Sequence, residues 1–216
     1  MNEPKTLLLF GDSNTHCTMP MRELGERNRH PLNIRWTSLL ARKLGDDWRV
    51  IDEGLPGRTT VHNDPIEGEH KNGASVLPAI LETHQCISVI AIMLGTNDLK
   101  FRFGVNAFDI AQSIGKLIRI IRASGCGPKG ESPKIIVIAP PPIKEVGALA
   151  KIFKEGERLS LDLGNEIKIV AECENVLFAD LNNHVCVSNI DGVHYGSVAM
   201  EPIATLMFES VRKLSF

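Results

Sequence analysis

The sequence predicts an α/β fold: a three-layer domain in which a five-stranded parallel sheet carries helices on both faces. Three observations carry this. Apolar runs of strand length alternate with longer stretches of helical pattern along the chain. Several of those runs are continuously apolar rather than alternating, as expected of parallel strands covered on both sides. Polar, glycine-containing blocks follow successive strands, which puts them at one edge of the sheet.

The elements follow in order. Residues 6–10, Thr-Leu-Leu-Leu-Phe, read as the first strand. Residues 48–52 read as the second, 88–94 as the third, 134–139 as the fourth and 176–179 as the fifth. Helical patterns occupy 34–44, 74–83, 108–124, 152–173 and 196–214. A chain of 216 residues suits one domain, read here as 1–216, and no internal repeat or low-complexity linker divides it.

Composition excludes several classes. Charge is near balance, with 24 basic and 26 acidic residues and no basic stripe, so nucleic acid is not an expected partner. Aromatics are only 5 % of the chain, which leaves little for base stacking. The five cysteines are scattered without a CxxC pair, which argues against a disulfide framework or zinc site and for a reducing compartment. No segment reaches membrane-spanning length, and the apolar start is too short for a signal peptide. A cytoplasmic protein that does not engage membranes is expected.

Four blocks hold the chemistry: Gly11-Asp12-Ser13, Gly54-Leu55-Pro56-Gly57-Arg58-Thr59, Gly95-Thr96-Asn97-Asp98 and Asp191-Gly192-Val193-His194. Ser13, at a strand-to-helix corner, reads as a helix N-cap or as a nucleophile; the other blocks favour the nucleophile. His194 is the candidate base. Among seven histidines it has Asp191 three residues earlier, a spacing at which a carboxylate on a turn reaches the imidazole. Asp191 as a simple cap is the competing reading. Asn97 offers a side-chain amide and Gly57 an unobstructed N–H, and with the Ser13 N–H they form a candidate oxyanion hole. Both are also common turn residues. Arg58 reads as structural, and Asp12 and Asp98 as loop organisers. No metal or organic cofactor is required.

Two false leads are set aside. Gly125–Gly130 matches GxGxxG, but it follows a helix and precedes a strand, the reverse of a dinucleotide site. His62, Asp64, Glu67, Glu69 and His70 fit no metal spacing and read as a solvated loop.

The four blocks resemble the SGNH (GDSL) hydrolases, from Phe10 to about Tyr195. The resemblance implies a flavodoxin-like α/β/α fold, a Ser13–His194–Asp191 triad and an oxyanion hole of Ser13, Gly57 and Asn97. Ser13 lacks the second glycine of GxSxG, so this is not the α/β-hydrolase pattern. Residues 52–60, 72–78, 92–98 and 139–142 are similar to the bacterial arylesterase and acyltransferase (perhydrolase) subgroup. That subgroup hydrolyses short-chain aryl and alkyl esters; some members pass the acyl group to alcohols or peroxide, and they form compact oligomers, including octamers. One departure is visible: His16 and Cys17 stand where the subgroup has an aromatic residue and glycine, which alters the pocket wall. His16 is also a rival base on paper.

The expected function is therefore a serine esterase acting on small esters through an acyl-enzyme, as a homo-oligomer. The segment 140–157 borders the expected pocket. Its Val146, Ala148, Leu149, Ile152 and Phe153 make an apolar wall or meet a neighbouring subunit. His16, Ile152 and Phe153 are the expected substrate contacts. A carbohydrate acetylesterase on the same site is the alternative. A non-catalytic flavodoxin-like binding module would lack a nucleophile, base or donor, and none is missing.

Overall fold

The computed structural model describes residues 3–215. Five strands form one sheet: β1 (Lys5–Gly11), β2 (Trp48–Gly54), β3 (Val89–Met93), β4 (Lys134–Ala139) and β5 (Leu177–Asp180). All neighbours run parallel in the order β2-β1-β3-β4-β5. This is the doubly wound order in which the connections reverse direction between β1 and β3. The crevice at that reversal lies beyond the carboxyl ends of the two strands that lead to Ser13 and Asn97.

Burial explains why the strands read as they do. Every residue of β3 is buried, as are all residues after the first in β1 and β4. β2 and β5 are the sheet edges and only partly covered. Side chains alternate across the sheet plane. Leu8, Phe10, Ile90, Ile92, Val137 and Ala139 enter one core with α3 (Gly73–His84), α4 (Ala107–Ser124) and α5 (Gly156–Cys173). Leu7, Leu9, Ala91, Met93, Ile136 and Ile138 enter the other with α2 (Trp36–Leu44) and α6 (Met200–Arg212). Truncating one fully buried member, such as Ile92 to Ala, should cost about 2–5 kcal/mol.

Three predicted helices are shorter than the sequence pattern suggested. The chain at 34–44 is extended at Arg35, so a 3-10 turn at Leu32–Ile34 precedes a separate α2. The 196–214 pattern opens with a 3-10 turn at Ser197–Ala199 before α6. The 152–173 pattern starts only at Gly156, because Glu155 is left-handed (φ 66°). A glycine there lets the helix start pass close to Leu99 O and Ile143. Residues 152 and 153 are thereby freed to face the crevice. A short α1 (Ser13–His16) was not foreseen as an element. Of the 1–216 span, residues 1, 2 and 216 lie outside the described residues.

Candidate active site

β1 delivers the Gly-Asp-Ser block directly to the crevice. Asp12 is the N-cap of α1: its Oδ1 accepts the Asn14 N–H at 2.9 Å. Ser13 is thus the first helical residue, not the cap. Its side chain is not consumed in closing the helix, and its own N–H lies at a helix start, where anions are favoured.

β2 delivers Gly57. Its φ of 83° belongs to the left-handed region, and a Cβ there would run into Glu67 Oε2. Arg58, the next residue, is buried and structural as expected. Its guanidinium lies 4.2 Å from the Phe10 ring centre and donates to Gly11 O and Glu53 O. Burial pulls its pKa down to about 10, against the opposing fields of Glu53 and Asp12.

β3 delivers Asn97, the first residue of a 3-10 turn at Asn97–Leu99. Its Nδ2 donates to Asp12 Oδ2 at 3.2 Å. Asp98 turns away, fully buried, and accepts from Thr60 N–H, from Thr60 Oγ1 at 2.5 Å and from His62 Nδ1 at 2.8 Å. It ties the loop carrying Gly57 to the loop carrying Asn97.

The loop after β5 delivers the histidine. Asp191 Oδ1 accepts from the N–H groups of Val193 and His194, each at 3.0 Å, closing a tight turn. Its Oδ2 accepts from His194 Nδ1 at 2.7 Å and from Met21 N–H at 2.8 Å. One oxygen of Asp191 thus closes the turn and the other bonds the imidazole. Burial alone would raise its pKa; the bonds from His194 and the backbone outweigh this and hold the carboxyl below its ordinary value. With Nδ1 bound, His194 presents Nε2 as its other ring nitrogen. Asn14 Nδ2 donates to Val193 O at 3.2 Å, and the buried His30 Nε2 donates to Tyr195 O at 3.0 Å, fixing the chain on either side of His194. Gly192 (φ 74°) leaves room for Lys144 O, where a Cβ would clash, and Lys144 N–H donates to Gly192 O at 2.8 Å.

Ser13, Gly57, Asn97 and His194 line one cavity of about 770 Å³. The N–H groups of Ser13 and Gly57 are spent on no protein acceptor among the described residues. The lining is mixed: Met21, Leu55, Leu149, Ile152, Phe153 and Val193 are apolar, and His16, Thr18, Glu26, Arg27, Glu67, His70 and Lys71 are polar. Val146 and Ala148, expected in the apolar wall, do not line the cavity.

His16 reaches the cavity, but its Nδ1 sits 3.0 Å from Thr18 Oγ1, and among the described residues no carboxylate is hydrogen-bonded to it. Burial, then Arg29 and Arg35, lower its pKa. Cys17, at the subgroup's usual glycine, is left-handed with φ 62°. That conformation is why glycine suits the position. No local pattern points to Met21, Asn14 or His30; all act through partners more than 160 residues away, whose proximity only the fold creates.

The expected solvated loop at 62–70 needs correction. Asp64 is buried, accepts from the N–H groups of Ile66 and Glu67, and meets Lys100 Nζ at 3.2 Å. Glu67 joins Lys100 at 2.5 Å and Arg102 at 3.0 Å. A carboxylate enters the interior here because a buried cation comes with it. Among the described residues no group of three or more His, Cys, Asp or Glu is placed to hold a metal ion, and no helix is long and apolar enough to cross a membrane.

Comparison with known proteins supplies the family. The model of the GDSL-like lipase/acylhydrolase family matches residues 9–197. The aryl esterase of M. smegmatis is 34 % identical, with a TM-score of 0.93 over 98 % of this chain and 100 % of that one. Est24, a carbohydrate acetylesterase from Sinorhizobium meliloti, is 32 % identical with a TM-score of 0.92 over 98 % and 100 %. A putative arylesterase from Agrobacterium tumefaciens str. C58 is 31 % identical with a TM-score of 0.85 over the same shares. No curated protein matches the chain. With strand order, motif placement and family model in agreement over most of its length, the chain belongs to the GDSL-like lipase/acylhydrolase family, the SGNH hydrolases.

Proposed function

We propose that this carboxylic ester hydrolase works through a Ser13 acyl-enzyme, with His194 as base and Asp191 orienting it. The observation that carries the reading is one cavity lined by Ser13, Gly57, Asn97 and His194, the last held at 2.7 Å by a buried carboxylate. Ser13 Oγ attacks the ester carbonyl carbon while His194 Nε2 takes the hydroxyl proton. The oxyanion is received by the N–H groups of Ser13 and Gly57 and by Asn97 Nδ2. The carbon–oxygen bond to the alcohol breaks as His194 returns the proton to the leaving oxygen. Water, or another alcohol, then attacks the acyl carbon by the same route in reverse. None of these steps calls for a cofactor.

The substrate reading is a short-chain aryl or alkyl ester, as for the aryl esterase relative, with the acyl group against Leu149, Ile152 and Phe153. A specific observation keeps a second reading in play. The polar lining residues, among them His16, Glu26, Arg27 and Lys71, suit a hydroxylated alcohol, and a carbohydrate acetylesterase is among the similar structures. We place the enzyme in the cytoplasm as a homo-oligomer of single catalytic domains. The deciding assay compares p-nitrophenyl esters of rising acyl length with acetylated sugars, with sedimentation for the assembly. Fast turnover of aryl acetate and slow release of sugar acetate supports the first reading; the reverse supports the second.

A further inference from the structure

We infer that Asp12 is a positioning residue for the oxyanion hole: its acceptor-only carboxylate decides which end of the Asn97 amide faces the cavity. The inference rests on the esterase reading above. Asp12 is 1 % exposed and does not line the cavity, whereas Asn97 does. The two carboxylate oxygens divide their work. Oδ1 accepts the Asn14 N–H at 2.9 Å and caps α1; Oδ2 accepts Asn97 Nδ2 at 3.2 Å.

An amide is nearly symmetric in shape, so sterics alone do not choose between its oxygen and its nitrogen. Hydrogen bonding does. An ionised carboxylate has no proton to give, so Asn97 Oδ1 cannot sit against it. Nδ2 must, and its second N–H is then free for the cavity. Turning the amide over would present lone pairs where negative charge develops in the transition state.

The charge on Asp12 is otherwise hard to justify. Ser or Asn caps a helix about as well, without burying a carboxylate. No ion pair reaches Asp12 among the described residues: Arg58 Nη1 donates to two backbone carbonyls, its guanidinium lies over the Phe10 ring, and it acts on Asp12 only through its field. Burial raises its pKa to about 6, despite the Asn14 bond and the fields of His194 and Arg58. A raised carboxylate lowers stability as pH climbs from its unfolded value to its folded one. The ionised form is therefore a liability to the fold, and Asn97 Nδ2 is the side-chain donor that bonds it. Neutral replacements should accordingly fold.

The test is a double-mutant cycle on p-nitrophenyl acetate with Asp12→Asn, Asn97→Ala and both together. In Asp12→Asn the carboxamide keeps its oxygen on the Asn14 N–H and opposes its own NH₂ to that of Asn97. Its kcat should fall by about 10²–10³, as for loss of one oxyanion donor, with KM little changed. In the Asn97→Ala background the same substitution should change kcat by less than about threefold, because both act through one group. Asp12→Ser, which retains a capping hydroxyl but is too short to reach Asn97, should share the loss and replaces Asp12→Asn if that variant folds poorly. Wild-type kcat in either folded variant overturns the inference, as does an equal cost in both backgrounds. Ser13→Ala separates this from the larger reading: if turnover survives it, the esterase mechanism itself fails, whereas its loss alongside a fully active Asp12→Asn removes only the role of Asp12.

Discussion

Among the described residues two histidine–aspartate pairs have almost the same hydrogen-bond length, and only one of them lines the cavity with Ser13. His194 Nδ1 lies 2.7 Å from Asp191 Oδ2; His62 Nδ1 lies 2.8 Å from Asp98 Oδ1. Both carboxylates are fully buried and both accept further hydrogen bonds. The difference is in where the second face of each imidazole goes. His194 lines the cavity with Ser13 and Asn97. His62 packs its ring against Phe103, with centres 5.3 Å apart, and stays outside that lining. The same pair of groups therefore holds a ring at the cavity in one place, where we propose it acts as a base, and fastens two loops in the other. An imidazole–carboxylate contact is a way of fixing a ring; the neighbouring cavity makes it chemistry.

The comparison breaks most visibly at the first pair. Ser13→Ala and His194→Ala should each lower ester hydrolysis by several orders of magnitude, with the fold intact, because nucleophile and base act as a unit. Near-normal turnover of p-nitrophenyl acetate by either variant contradicts the assignment. Asn97→Ala should cost about 10²–10³ in kcat and little in KM. A change confined to KM would make Asn97 a binding residue instead.

The smallest effect is at the second pair, and it sharpens the contrast. His62→Gln should leave kcat close to wild type and lower stability by about 1 kcal/mol at acid pH, in line with a modest charge-assisted bond. The hydrogen bond to Asp98, ahead of the opposing effect of burial, raises the His62 pKa above 6.5. Its stabilisation is thus complete below about pH 6.5 and fades as pH rises through the folded value. Thermal melts of the two proteins should converge with rising pH. A gap that widens with pH contradicts the pairing.

The unequal legibility of the two pairs has a physical cause. Asp191 and His194 are three residues apart, so their contact is a property of one turn and is visible in sequence. Asp98 and His62 are 36 apart and meet because the loops after β2 and β3 come together beyond the carboxyl end of the sheet. His62 therefore reads as part of a polar loop until the fold is known. The same holds for Asp12 and Asn97, 85 residues apart, and for Lys100, whose burial beside Asp64 no local pattern announces. The fold class, the strands and the edge on which the motifs gather were legible because parallel strands buried on both faces are continuously apolar. The starts of α3 and α4 were legible to within one residue, but those of α2 and α5 were not, since the left-handed turn at Glu155 and the extended Arg35 answer to tertiary packing rather than to periodicity.

The most direct test of the central claim is covalent labelling with a p-nitrophenyl phosphonate, followed by mass spectrometry of the intact chain and its peptides. The account predicts one adduct on Ser13, formed at a similar rate in wild type and His62→Gln, far more slowly in His194→Ala and not at all in Ser13→Ala. An adduct on another residue, or labelling that depends on His62 and not on His194, would contradict it.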